Sequence, residues 1–339
     1  MNKELLKTLC NAACIGHISD ASAIAANELK KYAEVRTFGT TGIIAEINKD
    51  KKRTIMLEAH IDEVGFIVTN IFDDGFVKVA NIGGNDARIL PATPVIIHGK
   101  ADIQAVFASV PPHLADNSAN VENIDEILLD TGLNGTVHDF VSVGDYVTYS
   151  SQCEDLADGK ICGKSLDDRC AVAALIEVAS RIYNKDLPVN VVICLSEQEE
   201  LGTRGARPAA FSLNIDEAVA VDVSFGNAPD VPPSKCGALG DGPMIGISPI
   251  LDRKITTMLT VLAVSHKIHY QLEVMGGTTG TDADVISITK DGIPCGLVSI
   301  PLRNMHTPCE IIDIFDIECI CDLLENYILF GGAFDDGIV

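Results

Sequence analysis

The chain has no tryptophan and only 5% aromatic residues, so a sugar-binding cleft, which sets aromatic platforms beside a carboxylate pair, has little to be built from. It is also poor in positive charge. Its 25 Lys and Arg stand against 48 Asp and Glu, and the formal charge of -23 excludes the clustered basic surface that nucleic acid or an anionic membrane requires. No apolar run reaches the ~20 residues that span a bilayer. The N-terminal MNKELLKTLC has charges in its first turns and neither an apolar h-region nor a cleavage site behind it, so secretion is not expected. The cysteines are eleven, an odd number without framework spacing. Pairs such as Cys10 with Cys14 and Cys319 with Cys321 read as buried thiols of a cytoplasmic protein rather than as metal or redox sites. Internal repeats are absent, and the one biased stretch is the acidic segment 115–131.

What is present is a folded composition, 47% hydrophobic and 22% charged, over 339 residues, enough for more than one unit. Residues 3–34 read as helical, with Ser19 or Asp20 as an internal N-cap, and the strand-like GIIAEIN and TIMLEAH follow. From 68 to 160 short alternating segments (GFVKVANI, PVIIHG, DIQAVFA, GDYVTYS) are punctuated by Gly, Pro, Asn and Asp, the pattern of a small all-β insert. After 160 helix and strand alternate: helices at 168–184, 252–267, 282–290 and 314–330, strands at 189–196, 217–223, 270–275 and 295–300. That alternation predicts an α/β fold with a mostly parallel, doubly covered sheet. The parts are 1–67 and 161–339 for the sheet unit, interrupted by 68–160.

Several apolar runs of strand length end in an acid or a histidine. Residues 54–59 lead to His60 and Asp62, 191–196 to Glu199 and Glu200, 218–221 to Asp222, and 296–300 to the loop holding His306; Asp167 and Asp168 open a helix. In an open α/β sheet, side chains at the carboxyl ends of parallel strands converge on one crevice. The set supplies about three hard or borderline ligands for each of two divalent ions, with one carboxylate to share. Asp62 lies on the same side of an extended segment as His60 and can hold that ring's second nitrogen. Adjacent Glu199 and Glu200 diverge, so one can coordinate while the other acts as general base. Each station alone has a plainer reading, since paired acids at a helix start cap it and a Glu pair in a loop is solvated. The conjunction, which uses only two of eight histidines, favours a hydrolytic dimetal site. His17 and His138 have no ligand-spaced partner, His98 and His113 fall in the insert, from which His113 can be lent across a dimer interface, and His266 and His269 form an i, i+3 pair at a helix end that complements the dipole. The glycine-rich GGTTGTDAD lacks the phosphate-loop and dinucleotide spacings and reads as a loop closing over the site, with Thr281 and Asp282 near substrate.

LEAHIDEVGFIV (57–68), GKSLDDRCAVAALIE (163–177), EQEELGTRGA (197–206), VAVDVSFG (219–226), GGTTGTDAD (276–284) and RNMHTPCEIID (303–313) together resemble the successive motifs of the M42 metallo-aminopeptidases. That family includes glutamyl and tetrahedral aminopeptidases, some once labelled endoglucanases. The resemblance implies one ion held by His60, Asp167 and Asp222 and another by Asp167, Glu200 and His306, with Glu199 as general base and Asp62 orienting His60. It further implies two divalent ions per subunit, zinc first and cobalt or manganese as alternatives, and short peptides as substrates. The β-rich insert would serve dimerisation, and the dimers would build a dodecameric shell. Asp62 and Asp168 are the acids available for a free α-amine, and Arg303 is placed near substrate. Two departures stand out: NAACIGHISDAS has no Pro-Gly-Ser-Gly loop, and Asn304 follows Arg303 where an aromatic is common. A carboxypeptidase or deacylase shares this ligand logic, and a non-catalytic scaffold would be expected to have lost a ligand.

Overall fold

A computed structural model describes residues 1–111, 113–114 and 123–333; the part of the acidic segment at 115–122 lies outside them. Among the described residues one eight-stranded sheet dominates. Its order is Gln271–Val274, Met244–Ile247, Cys295–Leu302, Glu217–Phe225, Thr54–His60, Asn190–Ser196, Gly42–Ile47 and Glu34–Phe38. The four middle strands, Cys295–Leu302 to Asn190–Ser196, are parallel to one another. Antiparallel pairings flank them on both sides, so the sheet is mixed, with its parallel block where the acids and histidines were expected to converge.

The period-two alternation of a strand explains why the central runs are apolar throughout. Ile43, Ala45, Ile55, Leu57, Val191 and Ile193 face one layer, built by helices Lys3–Asn11, Asp20–Leu29, Leu166–Ile182, Arg253–His266 and Ile314–Phe330. Ile44, Met56, Val192 and Cys194 face the other, where the short helices Ala206–Ser212 and Ala283–Ile286 pack. Both faces are covered, unequally.

The segment between these halves forms a closed antiparallel barrel of six strands, Gly65–Ile71, Phe76–Ile82, Pro94–His98, Asp102–Phe107, Leu128–Asp130 and Tyr146–Tyr149. It has its own core, including Phe66, Phe107, Leu129 and Tyr149. Closure leaves no free sheet edge. Only Ile61–Val64 separates strand Thr54–His60 from the first barrel strand, so the barrel hangs from the carboxyl end of the parallel block.

Three expectations need correction. Residues 3–34 are not helical throughout: the second helix, Asp20–Leu29, does have Ser19 at its N-cap position, but a tight hairpin, Cys14–Ile15 with Ile18–Ser19, turns at Gly16 in the left-handed region before it, and residues 30–34 lie outside it. The expected helix 282–290 shortens to Ala283–Ile286. Strands Glu34–Phe38 and Met244–Ile247 had not been expected at all; the first is exposed at most positions and the second is only four residues long, so neither carries a periodic signal.

Candidate metal centre

Pairing between Thr54–His60 and Glu217–Phe225 stops at Ala220 opposite Glu58. Beyond it the two strands part, and His60 and Asp222 fall in the opening. Asp222 therefore lies inside its strand, which continues to Phe225, rather than past its end. Asp167 comes in from the start of the buried helix Leu166–Ile182, where its backbone and that of Asp168 are not yet helical. The loop after Asn190–Ser196 brings Glu199 and Glu200. His306 comes from a loop closed by the bridge between Arg303 and Ile311, and its own backbone is left-handed.

These residues converge. Asp167 Oδ1 is 3.0 Å from His60 Nε2, and Asp167 Oδ2 is 3.3 Å from His306 Nε2, so one carboxylate serves both histidines. Glu200 Oε1 also lies 3.3 Å from His306 Nε2, and Asp222 Oδ1 is 4.0 Å from His60 Nε2. Ligand atoms of His60, Asp167 and Asp222, and again those of Asp167, Glu200 and His306, fall within 4.8 Å of one another. Asp62 stands 3.5 Å from His60 Nδ1, and its two oxygens accept the backbone N–H groups of Glu199 and Glu200 at 3.1 and 3.3 Å. It thus ties down the loop of the Glu pair and faces the buried Nδ1 of His60, which has no hydrogen-bond partner among the described residues.

The electrostatics suit cations. Burial alone would raise the Asp167 carboxyl, but hydrogen bonds from His306 and His60 outweigh it and hold the group well below the usual carboxylate range. Burial pushes Glu199 up to about 9; the His60 charge opposes this, and Asp222, Asp282 and Glu200 add to it. It raises Glu200 and Asp222 as well. Burial pulls His306 down, yet Asp167 and Glu200 carry it to about 11. A neutral ring whose Nε2 lone pair faces two carboxylate oxygens is repulsive, so the gap wants either an extra proton or a cation. Histidine nitrogens mixed with carboxylate oxygens are the donor set of zinc, cobalt and manganese, and the residues present fit such ions.

The other expected site residues lie differently. Asp168 is fully buried and accepts the His60 backbone N–H at 3.3 Å, which puts it behind the ligand rather than open to a substrate. Asp282 is also buried and accepts the Ser196 hydroxyl at 2.5 Å, while Thr281 accepts the Ala283 N–H at the start of the short helix. The Arg303 guanidinium is tied to Asn227, through its backbone carbonyl at 2.5 Å and its side chain at 2.9 Å. His98 sits between Asp102 and Thr148 in the barrel, and His17 packs edge-on against Tyr146.

Sequence reasoning passed over Glu310. One of its oxygens takes the His306 backbone N–H at 2.7 Å and the other takes that of Asp167 at 3.1 Å, so it clamps two ligand-bearing segments to each other. Its signal was an acid opening the apolar EIID strand four residues after His306. Glu63 was missed for the opposite reason, since it sits beside the conspicuous Asp62. It is buried and accepts from Lys164 and Ser165, both at 2.6 Å.

The family model described as M42 glutamyl aminopeptidase matches residues 41–323. A lysyl aminopeptidase of Pyrococcus furiosus is 29% identical, over 86% of this chain and 85% of that protein. Among solved structures, an aminopeptidase from the archaeon Desulfurococcus kamchatkensis superposes with a TM-score of 0.90 at 28% identity, covering 97% of this chain and 94% of its own. The TET1 peptidase of Pyrococcus horikoshii, described as able to assemble into a tetrahedron or a large octahedral shell, superposes with a TM-score of 0.85 at 26% identity, covering 96% and 99%.

Proposed function

The chain belongs to the M42 glutamyl aminopeptidase family, and on that premise we propose that it removes N-terminal residues from short peptides at a site holding two divalent ions. The observation that carries the reading is Asp167, with one oxygen toward His60 and the other toward His306. One position would be held by His60, Asp167 and Asp222, the other by Asp167, Glu200 and His306, with zinc first and cobalt or manganese as alternatives. Bound there, such ions supply Lewis acidity toward the scissile carbonyl and lower the pKa of water to near neutrality. Glu199 then takes the proton of the attacking water and passes it to the leaving amine. Asp62 keeps His60 in the tautomer whose Nε2 faces Asp167 and anchors the backbone from which Glu199 extends.

We read residues 1–67 and 161–339 as the catalytic unit and 68–160 as an insert through which copies associate, at least as dimers and further as a dodecameric shell. The exposed side chains Val106, on a barrel strand, and Phe140 and Val143, in the connection to Tyr146–Tyr149, support this, because a unit of that size buries too little of its own apolar surface. So does the likeness to a shell-forming peptidase over 96% of the chain. We place the protein in the cytoplasm, whose reducing conditions suit eleven free thiols. Among the described residues no helix is long and apolar enough to cross a membrane.

The test is a panel of aminoacyl-anilides and N-acetylated controls, assayed on chelated protein and after zinc, cobalt or manganese is restored. Chelated protein should stay folded by circular dichroism yet be inactive, and metal should restore cleavage of free N-termini only. Full activity in protein shown by analysis to be metal-free refutes the two-ion site. Equal cleavage of acetylated peptides refutes the aminopeptidase reading.

A further inference from the structure

The two histidines are steadied from different parts of the molecule. His60 has Asp62, two residues along the same connection, whereas His306 is held from the barrel. Its Nδ1 lies 3.1 Å from the carbonyl oxygen of Gly84. A carbonyl only accepts, so Nδ1 donates, and Nε2 is left facing Asp167 and Glu200. The contact admits no side chain: a Cβ at Gly84 would stand 2.9 Å from Nδ1 and 3.3 Å from Cε1 of His306. At Gly83 it would come within 3.3 Å of Glu200 Oε2. The loop is itself pinned, because Asn85 donates to the carbonyls of Gly65 and Ile82 at 2.8 and 3.1 Å and accepts the Tyr149 hydroxyl at 2.8 Å. All three anchors are barrel residues.

We propose that the Gly83-Gly84-Asn85 loop is a positioning element for the ion position of Asp167, Glu200 and His306, and that the Gly84 carbonyl sets that position's affinity through His306 while leaving the His60 position untouched. A ligating histidine depends on what its other nitrogen donates to, since that partner fixes both ring orientation and basicity. A neutral carbonyl on a loop of another substructure orients the ring, but it lends less basicity than the Asp62 carboxylate lends His60. The position fed from the barrel is therefore the one that responds to the barrel. The inference rests on the two-ion reading above.

The experiment measures zinc and cobalt stoichiometry and affinity on the full chain by chelator competition and elemental analysis. Gly84 is not in the left-handed region, so alanine fits its backbone and the added methyl acts only on the ring. Gly84→Ala should weaken one of the two ions by roughly 10- to 100-fold, the scale for losing such a partner, and leave the other unchanged. Asn85→Ala, which frees the loop without crowding His306, should weaken the same ion and decides the matter if Gly84→Ala does not fold. In a His306→Ala background Gly84→Ala should cost nothing further. Both ions weakened alike, neither weakened, or a persisting effect without His306 overturns the inference. A wild-type protein that binds fewer than two ions removes the two-ion reading and this inference with it. Two ions in the wild type and an unchanged Gly84→Ala remove the inference alone.

Discussion

At the scale of single residues, Glu199 and Glu200 are neighbours in sequence with different surroundings. Glu200 reaches His306 at 3.3 Å and belongs to a group whose atoms can enclose an ion. Glu199 also falls with His60 and Glu200 in a group whose atoms could enclose an ion, but it has no contact of that length with His306 or Asp167, and burial and the acids around it push its carboxyl up to about 9. Glu199→Gln should keep both ions and lose turnover by about 100-fold or more, the scale of a general base. Glu200→Gln should instead lower occupancy of the ion at His306. Metal analysis beside single-substrate kinetics separates the two, and metal loss in Glu199→Gln with activity per ion intact reverses the roles. The candidate ligands were legible because most follow, or are set within, an apolar run and Asp167 opens a buried helix, expensive places for a charge without a purpose. Glu310, Glu63 and Gly84 were not legible. Asp167 for Glu310, Lys164 and Ser165 for Glu63, and His306 for Gly84 each lie more than a hundred residues away, and the one nearby mark, an acid four residues after His306, is no motif by itself.

At the scale of elements, the centre depends on how the Leu166–Ile182 helix is seated, since Asp167 sits at its first turn. Arg169, two residues on, is fully buried and donates to the carbonyls of Leu9 and Ala12 at 2.8 and 3.2 Å, with Glu63 3.6 Å away. It joins the N-terminal helix to the core. Arg169→Ala strands those carbonyls and leaves Glu63 with less opposing charge, which should cost about 3–5 kcal/mol. Arg181, in the last turn of the same helix, pairs at the surface with Glu177, Asp322 and Glu325, all partly solvated, and Arg181→Ala should cost about 1 kcal/mol. Urea unfolding of the chelated forms measures both, and equal costs would refute the seating argument. Central strands were legible because burial on both faces makes continuous apolar runs. The edge strand Glu34–Phe38 follows no such rule, and the hairpin at Gly16 hid inside a helical composition.

At the scale of the whole molecule, charge sets the terms of the proposed association. Each chain carries a formal -23, so chains brought together repel over the screening length, about 30 Å at 0.01 M salt and about 10 Å at 0.1 M. Divalent ions at the proposed centre would offset part of that charge. Association should therefore strengthen as salt is raised toward physiological levels and be weaker in chelated protein. Light scattering across a salt series, with metal-loaded and chelated samples at micromolar concentration, reads this directly. The expected result is at least a dimer near physiological salt and a dodecamer once metal is bound. A monomer under those conditions refutes association through the barrel. A stable dimer that still cleaves short peptides refutes only the shell, because such a dimer has a complete site in each chain and the shell then adds exclusion of folded substrates, not chemistry.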